Sequence, residues 1–145
     1  MSHEQDLHDT ATELRQATFR LARRLRAIRA YDAMSDAQLA VLSGLRLHGR
    51  HTLSALAERE RVTAPSMSAL VTGLEEQGFV RRIPDADDRR RVQIEITPTG
   101  EEIVVATIAH RDALLSTLMA EHGFTDDELG TLRAASALMR KVAER

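Results

Sequence analysis

One stretch of the chain, residues 53–100, constrains the fold more than any other part of the sequence. It opens with two short helical patterns that meet at a very tight junction, Arg61-Val62-Thr63. Thr63 is a residue type that caps helices, and Pro65 fits the first turn of the second helix, where a missing N–H leaves no hydrogen bond unmade. We therefore predict that the second helix begins at Thr63 and ends at Gly78.

This second helix is predicted to have one apolar side and one small, hydroxyl-rich side. Apolar residues recur at i, i+3, i+4 and i+7, namely Met67, Leu70, Val71 and Leu74. The opposite side carries Pro65, Ala69, Thr72 and Glu76, flanked by Ser66, Ser68 and Gly73. A helix with so little bulk on its outer face can lie close against another surface.

A hairpin pattern with a basic tip follows the two helices. Residues 79–83 and 92–97 are predicted strands, and in the second of them Val92, Ile94 and Ile96 alternate with polar residues. The connection is polar and long for a hairpin turn, and residues 79–92 hold five arginines against three aspartates. This order of elements indicates a helix-turn-helix followed by a β wing. The second helix would enter the major groove of DNA and the arginines the neighbouring minor groove.

Totals for the whole chain favour one folded domain, residues 1–145, with 43% hydrophobic and 29% charged residues. A net charge of -2 does not by itself suggest a nucleic-acid partner, although the placement of charge matters more than its sum. The absence of cysteine excludes disulfides, thiolate metal sites and thiol-based redox sensing. A polar N-terminus and the lack of an apolar run of about 18 residues predict a cytoplasmic protein without a membrane span.

Polar caps place the remaining helices. Ser35 and Gln38 form a capping box, Thr52 caps a helix from Leu53 to about Glu60, and Thr97-Pro98 opens another helix. A second capping box, Thr125 with Glu128, opens the last helix. The first helix is predicted over residues 4–30, with an apolar stripe of Leu7, Ala11, Leu14, Thr18, Leu21, Leu25 and Ile28.

The apolar stripes of the terminal helices could form an intrachain core or a seam with another subunit. We favour the seam, because a first helix this long exceeds what a small domain can cover. The predicted dimer-interface residues are Leu7, Leu14, Leu21, Leu129, Leu132, Met139 and Val142. The first helix is also basic, and its arginines could pair with acidic residues of the last two helices or face DNA phosphates.

Residues 35–100 resemble the winged helix-turn-helix of the MarR family of bacterial transcription regulators. The matching elements are Leu56-Ala57, Val62-Thr63, Pro65-Ser66-Met67-Ser68, Leu70-Val71, Leu74-Glu75, Gly78-Phe79-Val80, Arg82, Asp85-Ala86-Asp87-Asp88-Arg89-Arg90 and Ile96-Thr97-Pro98-Thr99-Gly100. The flanking helices resemble the family's dimerisation lobe. The resemblance implies a mainly α fold with a small β-hairpin wing, a DNA-binding lobe at 35–97 and dimerisation helices at 4–34 and 98–145.

The family's roles carry over to matching positions. Arg89 would enter the minor groove, oriented by Asp87, while Arg82 and Arg90 would be phosphate or structural partners. The implied DNA-binding residues are Thr63, Pro65, Ser66, Ser68, Ala69, Thr72, Arg82, Asp87, Arg89, Arg90 and Arg91. Family members often carry an arginine or another long polar residue where this chain has Ala69 and Gly73. We therefore expect specificity to depend on Arg89 and on DNA shape.

The resulting hypothesis is a homodimeric, sequence-specific regulator of transcription, a repressor on a pseudo-palindromic operator. The resemblance also implies a small aromatic or lipophilic effector in a crevice lined from the first, second and fifth helices, with Arg24, Tyr31 and His48 as candidate polar members. The competing hypothesis is a winged helix used for protein–protein contact without a cognate DNA site. No pattern predicts catalytic residues or a cofactor. A metal site is not expected, since His48 and His51 flank a helix-breaking Gly49.

Overall fold

The computed structural model describes residues 2–28 and 34–144. Its helices are α1 (His3–Arg26), α2 (Asp36–His48), α3 (Leu53–Glu60), α4 (Ala64–Glu76), α5 (Pro98–Glu121) and α6 (Asp126–Ala143). Its strands are β1 (His51–Thr52), β2 (Val80–Pro84) and β3 (Val92–Ile96). The predicted fold class, mainly helical with a small wing, is confirmed.

The predicted caps determine where the helices start. The Ser35 hydroxyl accepts from the Gln38 N–H at 3.1 Å, and the Gln38 side chain accepts from the Ser35 N–H at 3.1 Å. Thr52 caps α3 through the Ala55 N–H, and a second reciprocal box opens α6. Because each cap uses groups only three residues apart, these starts could be predicted from sequence alone.

The sheet contains one strand that the sequence did not predict. The strand order is β1-β3-β2, all antiparallel, and β1 pairs His51 with Ile94 and Thr52 with Gln93. A strand of two residues has no alternation to detect. The prediction for β3 is only partly correct, since Ile94 is buried while Val92, at the wing end, is 37% exposed.

The hydrophobic core lies between Met34 and Val104. It contains Met34, Leu39, Val41, Leu42, Leu45, Leu56, Ala57, Met67, Val71, Leu74, Phe79, Val80, Ile94 and Val104. Neither α1 nor α6 has a buried residue among those described. Six of the seven apolar side chains predicted at an interface are exposed, by 59% at Leu7 and 74% at Val142, and Leu129 is half-buried.

The chain divides into two compact units, Met1–His110 and Arg111–Arg145. The first unit contains α1 to α4, the sheet and the start of α5, and the second contains the rest of α5 and α6. The division therefore falls inside α5. A functional division into residues 35–97 and two flanking helical segments stays a prediction.

Helix α5 corrects one expectation from the sequence. An 18-residue window of this helix has a mean hydropathy of 1.4 and is 11% buried, so α5 is long and apolar enough to cross a membrane by length and composition. The prediction considered uninterrupted apolar runs, of which α5 has none of about 18 residues, and so did not anticipate a helix that qualifies by mean hydropathy. Arg111 and Asp112 nevertheless lie in the middle of the helix. Charges at the centre of a bilayer are costly, which argues against a span.

The junction between the wing and α5 explains the Thr-x-x-Gly motif. The Thr97 hydroxyl donates to the Gly78 carbonyl at 2.6 Å and accepts from the Gly100 N–H at 3.1 Å. The Thr97 N–H donates to the Phe79 carbonyl at 2.9 Å. Gly100 is buried against this carbonyl, so the start of α5 is held directly on the start of β2.

Candidate nucleic-acid interface

The turn between α3 and α4 is built by backbone hydrogen bonds at the end of α3. The Arg61 N–H donates to the Glu58 carbonyl at 3.2 Å, and the Val62 N–H donates to the Ala57 carbonyl at 3.0 Å. Arg61 itself is left-handed, with φ 54° and ψ 43°. Helix α4 begins three residues later, capped by Thr63, so the predicted tight junction is confirmed.

Helix α4 presents two different faces. Met67, Val71 and Leu74 are fully buried against the core. The outer face holds most of the residues predicted to contact the major groove: Thr63, Pro65, Ser66, Ala69 and Thr72 are exposed, and Ser68 is half-buried. Thr63 also donates from its hydroxyl to the Ser66 hydroxyl at 2.9 Å. These two hydroxyl groups are therefore already ordered at the start of the helix.

Gly73 does not belong to the outer face, contrary to the sequence prediction. It is half-buried, and a Cβ at this position would lie 2.8 Å from the side-chain nitrogen of Gln38. Gln38 is held in the capping box of α2, so α4 approaches α2 closely here. Of the two small positions noted in the sequence, only Ala69 faces outward.

Arg82 connects the wing to α4. Its guanidinium group donates to the Thr72 hydroxyl at 3.1 Å, and its Nε lies 3.5 Å from the carboxylate of Glu75. Of the two roles left open for Arg82, the structural one is therefore observed. The contact also occupies the hydroxyl of Thr72, which was predicted to face the major groove.

Two aspartates that were not assigned a role order the tip of the wing. The Asp85 carboxylate accepts from the Asp87 N–H at 3.0 Å and from the Gln93 side-chain amide at 3.3 Å. Asp88 accepts from the Arg90 N–H at 3.0 Å. Both use the i to i+2 geometry by which aspartate stabilises turns, so Asp85-x-Asp87 and Asp88-x-Arg90 carried a signal in the sequence.

The predicted partner of Arg89 is not seen in this role. Within the described part of the chain, the Asp87 carboxylate makes no hydrogen bond or ion pair with Arg89. The orientation of Arg89 by Asp87 stays a prediction for the DNA-bound state. In the structure, Asp85 and Asp88 shape the loop that carries Arg89.

The contributions of Asp85 and Asp87 to DNA binding can be distinguished by mutation. We expect Asp85→Ala to weaken binding to duplex DNA, because the loop carrying Arg89 loses two hydrogen bonds, while Tm changes little because half-buried Asp85 lies at the wing tip, away from the core. Asp85→Asn is the matched control, since its amide oxygen can still accept from the Asp87 N–H. Fluorescence anisotropy with a labelled duplex measures the effect. Weakening by Asp87→Ala alone would contradict the role given to Asp85.

Arginines also line a groove between the wing and the start of α3. The groove has a volume of about 540 Å³. Its walls include Arg82, Arg90, Arg91, Glu58 and residues 52–55. Three cations facing one carboxylate make this groove suited to an anion such as a backbone phosphate. Arg89 lies elsewhere on the wing, beside Pro84, Asp85 and Ala86.

Glu95 on β3 braces the base of the wing. Its carboxylate accepts from Arg81 Nε at 2.6 Å and from Arg50 Nε at 3.0 Å, so it joins β2 to the segment before β1. These hydrogen bonds, first from Arg81 and then from Arg50, lower the pKa of Glu95 below its ordinary value of 4.5. The sequence pattern identified Glu95 only as a polar residue of an alternating strand.

The lowered pKa of Glu95 predicts an acid-dependent contribution to stability. A carboxylate with a depressed pKa stabilises the fold above its ordinary pKa, and this stabilisation is lost as the pH falls through the folded-state pKa. We therefore expect Glu95→Gln to lower Tm at about pH 6 and to approach the wild-type Tm as the pH falls through the lowered pKa of Glu95. Thermal unfolding across this range tests it, with Glu102→Gln as the control. A pH-independent difference would contradict the ionic origin.

The candidate effector residues are not assembled into a site by the part of the chain described. Arg24 on α1 and His48 at the end of α2 are both exposed, and neither lines the groove between the wing and the start of α3. Tyr31 lies outside the described residues. Among residues 2–28 and 34–144, no three histidine or carboxylate side chains cluster closely enough to hold a metal ion.

In the basic first helix, the Nε atom of Arg26 lies 3.9 Å from the carboxylate of Asp36.

Comparison with known proteins identifies the family. The sequence profile of the MarR family matches residues 34–92, which contain α2 to α4 and most of the wing. The HTH-type transcriptional regulator MT0903.1 of Mycobacterium tuberculosis is 36% identical over 134 residues, 92% of each chain. The chain belongs to the MarR family. The MarR family consists of DNA-binding regulators of transcription, so this chain is a DNA-binding regulator of transcription.

Two further relatives extend the MarR comparison. The HTH-type transcriptional repressor MdtR of Bacillus subtilis is 26% identical over 113 residues, covering 78% of this chain and 72% of MdtR. The structure of a MarR family protein from Bacillus stearothermophilus superposes with a TM-score of 0.84 and 21% identity over the whole of both chains. At that identity the structural likeness supports the MarR fold alone.

Proposed function

We propose that this MarR family protein is a homodimeric repressor that binds a pseudo-palindromic operator with two copies of α4 and the wing. The observation that carries the proposal is the combination of a small, exposed α4 face with free arginines on an ordered wing. Thr63, Ser66 and Ala69 leave room for close approach, and Arg89 extends from the adjacent loop. A cytoplasmic location at the chromosome follows from this function.

The specific contacts follow from what the side chains can do. Hydroxyl groups at the start of α4 would contact base edges or phosphates, and Arg90 and Arg91 would contact phosphates from the groove beside α3. Arg82 would hold the wing against α4 through Thr72 and Glu75. With only Ala69 exposed at the centre of the face, direct reading of guanine by α4 is limited. The minor-groove contact of Arg89 would therefore contribute much of the specificity.

A homodimer is proposed because the terminal helices leave large apolar side chains exposed. On α1, Leu7, Leu14 and Leu21 are exposed by 59%, 39% and 47%. On α6, Leu132, Met139 and Val142 are exposed by 43%, 36% and 74%, and Leu129 is half-buried. Stripes of this kind at helical spacing are stable in water when another helix covers them. A second copy would supply such helices at the spacing that a symmetric operator needs.

Repression and release by an effector are the finer parts of the proposal. The relative MdtR is a transcriptional repressor, and family resemblance implies a small aromatic or lipophilic effector. Such a ligand would lower DNA affinity only to the extent that it binds the DNA-incompetent form more tightly. Arg24, Tyr31 and His48 remain candidates for its polar contacts.

Titration against DNA tests the proposal. The purified chain should bind a duplex from the region upstream of its own gene more tightly than a scrambled duplex. Binding should weaken steeply between about 50 and 200 mM salt, as phosphate contacts require. Light scattering should give the mass of a dimer. No preference for any duplex in a genome-wide selection would instead support a protein–protein interaction module.

A further inference from the structure

Arg61 occupies a backbone position that normally favours glycine. The two hydrogen bonds that end α3 require a left-handed residue between them, and this residue is Arg61. Helices with this ending most often place glycine there, because a Cβ destabilises the left-handed conformation. Within residues 2–28 and 34–144, Arg61 is the only non-glycine residue with positive φ. The sequence therefore keeps arginine where glycine would fit with less strain.

Among the described residues, the Arg61 side chain has no polar partner that would offset this strain. The residue is exposed, and in the described part of the chain its guanidinium makes no hydrogen bond or ion pair. Three other arginines of the same unit do have partners: Arg50 and Arg81 bind Glu95, and Arg82 binds Thr72 and Glu75. A residue held in an unfavourable conformation without a stabilising contact points to a function outside the fold.

The position of Arg61 indicates what this function is. It lies two residues before Thr63, the cap of α4, at the end from which the exposed face of α4 begins. When a recognition helix enters the major groove, the residues just before it lie beside the phosphates that border the groove. The exposed residues next to Arg61 on that side, Thr63 and Pro65, carry no negative charge.

We propose that Arg61 binds a DNA backbone phosphate at the edge of the major groove that α4 enters. The proposal rests on the proposed role of α4 as the recognition helix. The contact is to a phosphate rather than a base, because Arg61 projects from the turn and not from the outer face of α4. It therefore raises affinity for all duplexes about equally and does not select a sequence. The phosphate contact of the guanidinium group offsets the cost of the left-handed backbone conformation of Arg61.

Three substitutions test the role of Arg61. Arg61→Gly and Arg61→Asn both suit a left-handed residue, so the fold is kept and Tm should stay at or above the wild-type value. Both should weaken binding to operator and scrambled duplexes alike, by about tenfold. The slope of log K against log salt should fall by about 1 for each protomer. Arg61→Lys keeps the charge and should keep the wild-type slope.

The outcomes separate this proposal from the proposed function. If the wild-type protein shows no preference for any duplex, the proposed function is wrong, and this result is independent of the Arg61 variants. If wild type binds and Arg61→Gly binds as tightly with an unchanged salt slope, the phosphate contact is wrong. Loss of affinity confined to the operator, with scrambled duplexes unaffected, would show base recognition and would also overturn the proposal.

Discussion

Replacing Gly100 by alanine is expected to destabilise the protein by about 3 kcal/mol, a lowering of Tm by roughly 10 °C. Gly100 is buried in the first turn of α5, and an added Cβ would overlap the carbonyl oxygen of Phe79. This carbonyl already accepts the Thr97 N–H at 2.9 Å. Neither backbone can retreat without breaking the hydrogen bonds of Thr97 to Gly78 and Gly100. The methyl group therefore separates α5 from the wing.

Thermal and urea unfolding measure this effect, and Gly130→Ala provides the control. Gly130 lies within α6 with nothing close to an added Cβ. Alanine there should leave stability unchanged or raise it by about 0.5–1 kcal/mol, since it favours the helix over the unfolded chain. Equal effects of the two substitutions would show that the close approach at Gly100 is not what restricts this position.

Removing the Arg89 side chain is expected to have the largest effect on DNA affinity. Arg89→Ala should weaken operator binding by about tenfold to a hundredfold, because a guanidinium in the minor groove is lost from each protomer. Little change in Tm is expected, since Arg89 is exposed and makes no hydrogen bond or ion pair within the described residues. The loss should be greatest on duplexes whose minor groove is narrow beneath the wing.

Binding isotherms for Arg89→Ala and Arg89→Lys, on operator duplexes with A·T-rich or G·C-rich flanks, test this expectation. Lysine keeps the charge but is more strongly hydrated than a guanidinium group, so Arg89→Lys should recover part of the operator affinity that Arg89→Ala loses. Arg133→Ala, an exposed arginine of α6, is the control for the loss of one cation. Unchanged operator affinity in Arg89→Ala would show that specificity does not depend on the wing.

Features that depend on short-range interactions along the chain were predicted correctly. Ser35, Thr52 and Thr125 cap helices where the sequence predicted, because each cap joins groups three residues apart. The inner face of α4 was also predicted correctly, since helical periodicity alone places Met67 and Leu74 on one side. Such features need no knowledge of which distant segments meet.

Features that depend on distant segments were missed or misassigned. Strand β1 exists only because His51 and Thr52 lie beside β3, more than forty residues further along the chain. Gly73 was placed on the outer face of α4, but its position against Gln38 depends on how α2 and α4 pack. Asp85 and Asp88 are an intermediate case, because their turn signals were present in the sequence and were not used.

The sequence by itself determined the family, the order of the helices and of the two wing strands, and the helix starts at the capping residues. These follow from short-range hydrogen bonding, helical periodicity and a specific wing motif. The tertiary structure decided which arginines are engaged and which are free. Arg50, Arg81 and Arg82 are paired with side chains from other elements, whereas Arg61 and Arg89 have no such partner among the described residues. Only a folded chain brings those partners within hydrogen-bonding distance, so charge pairing could not be read from sequence spacing.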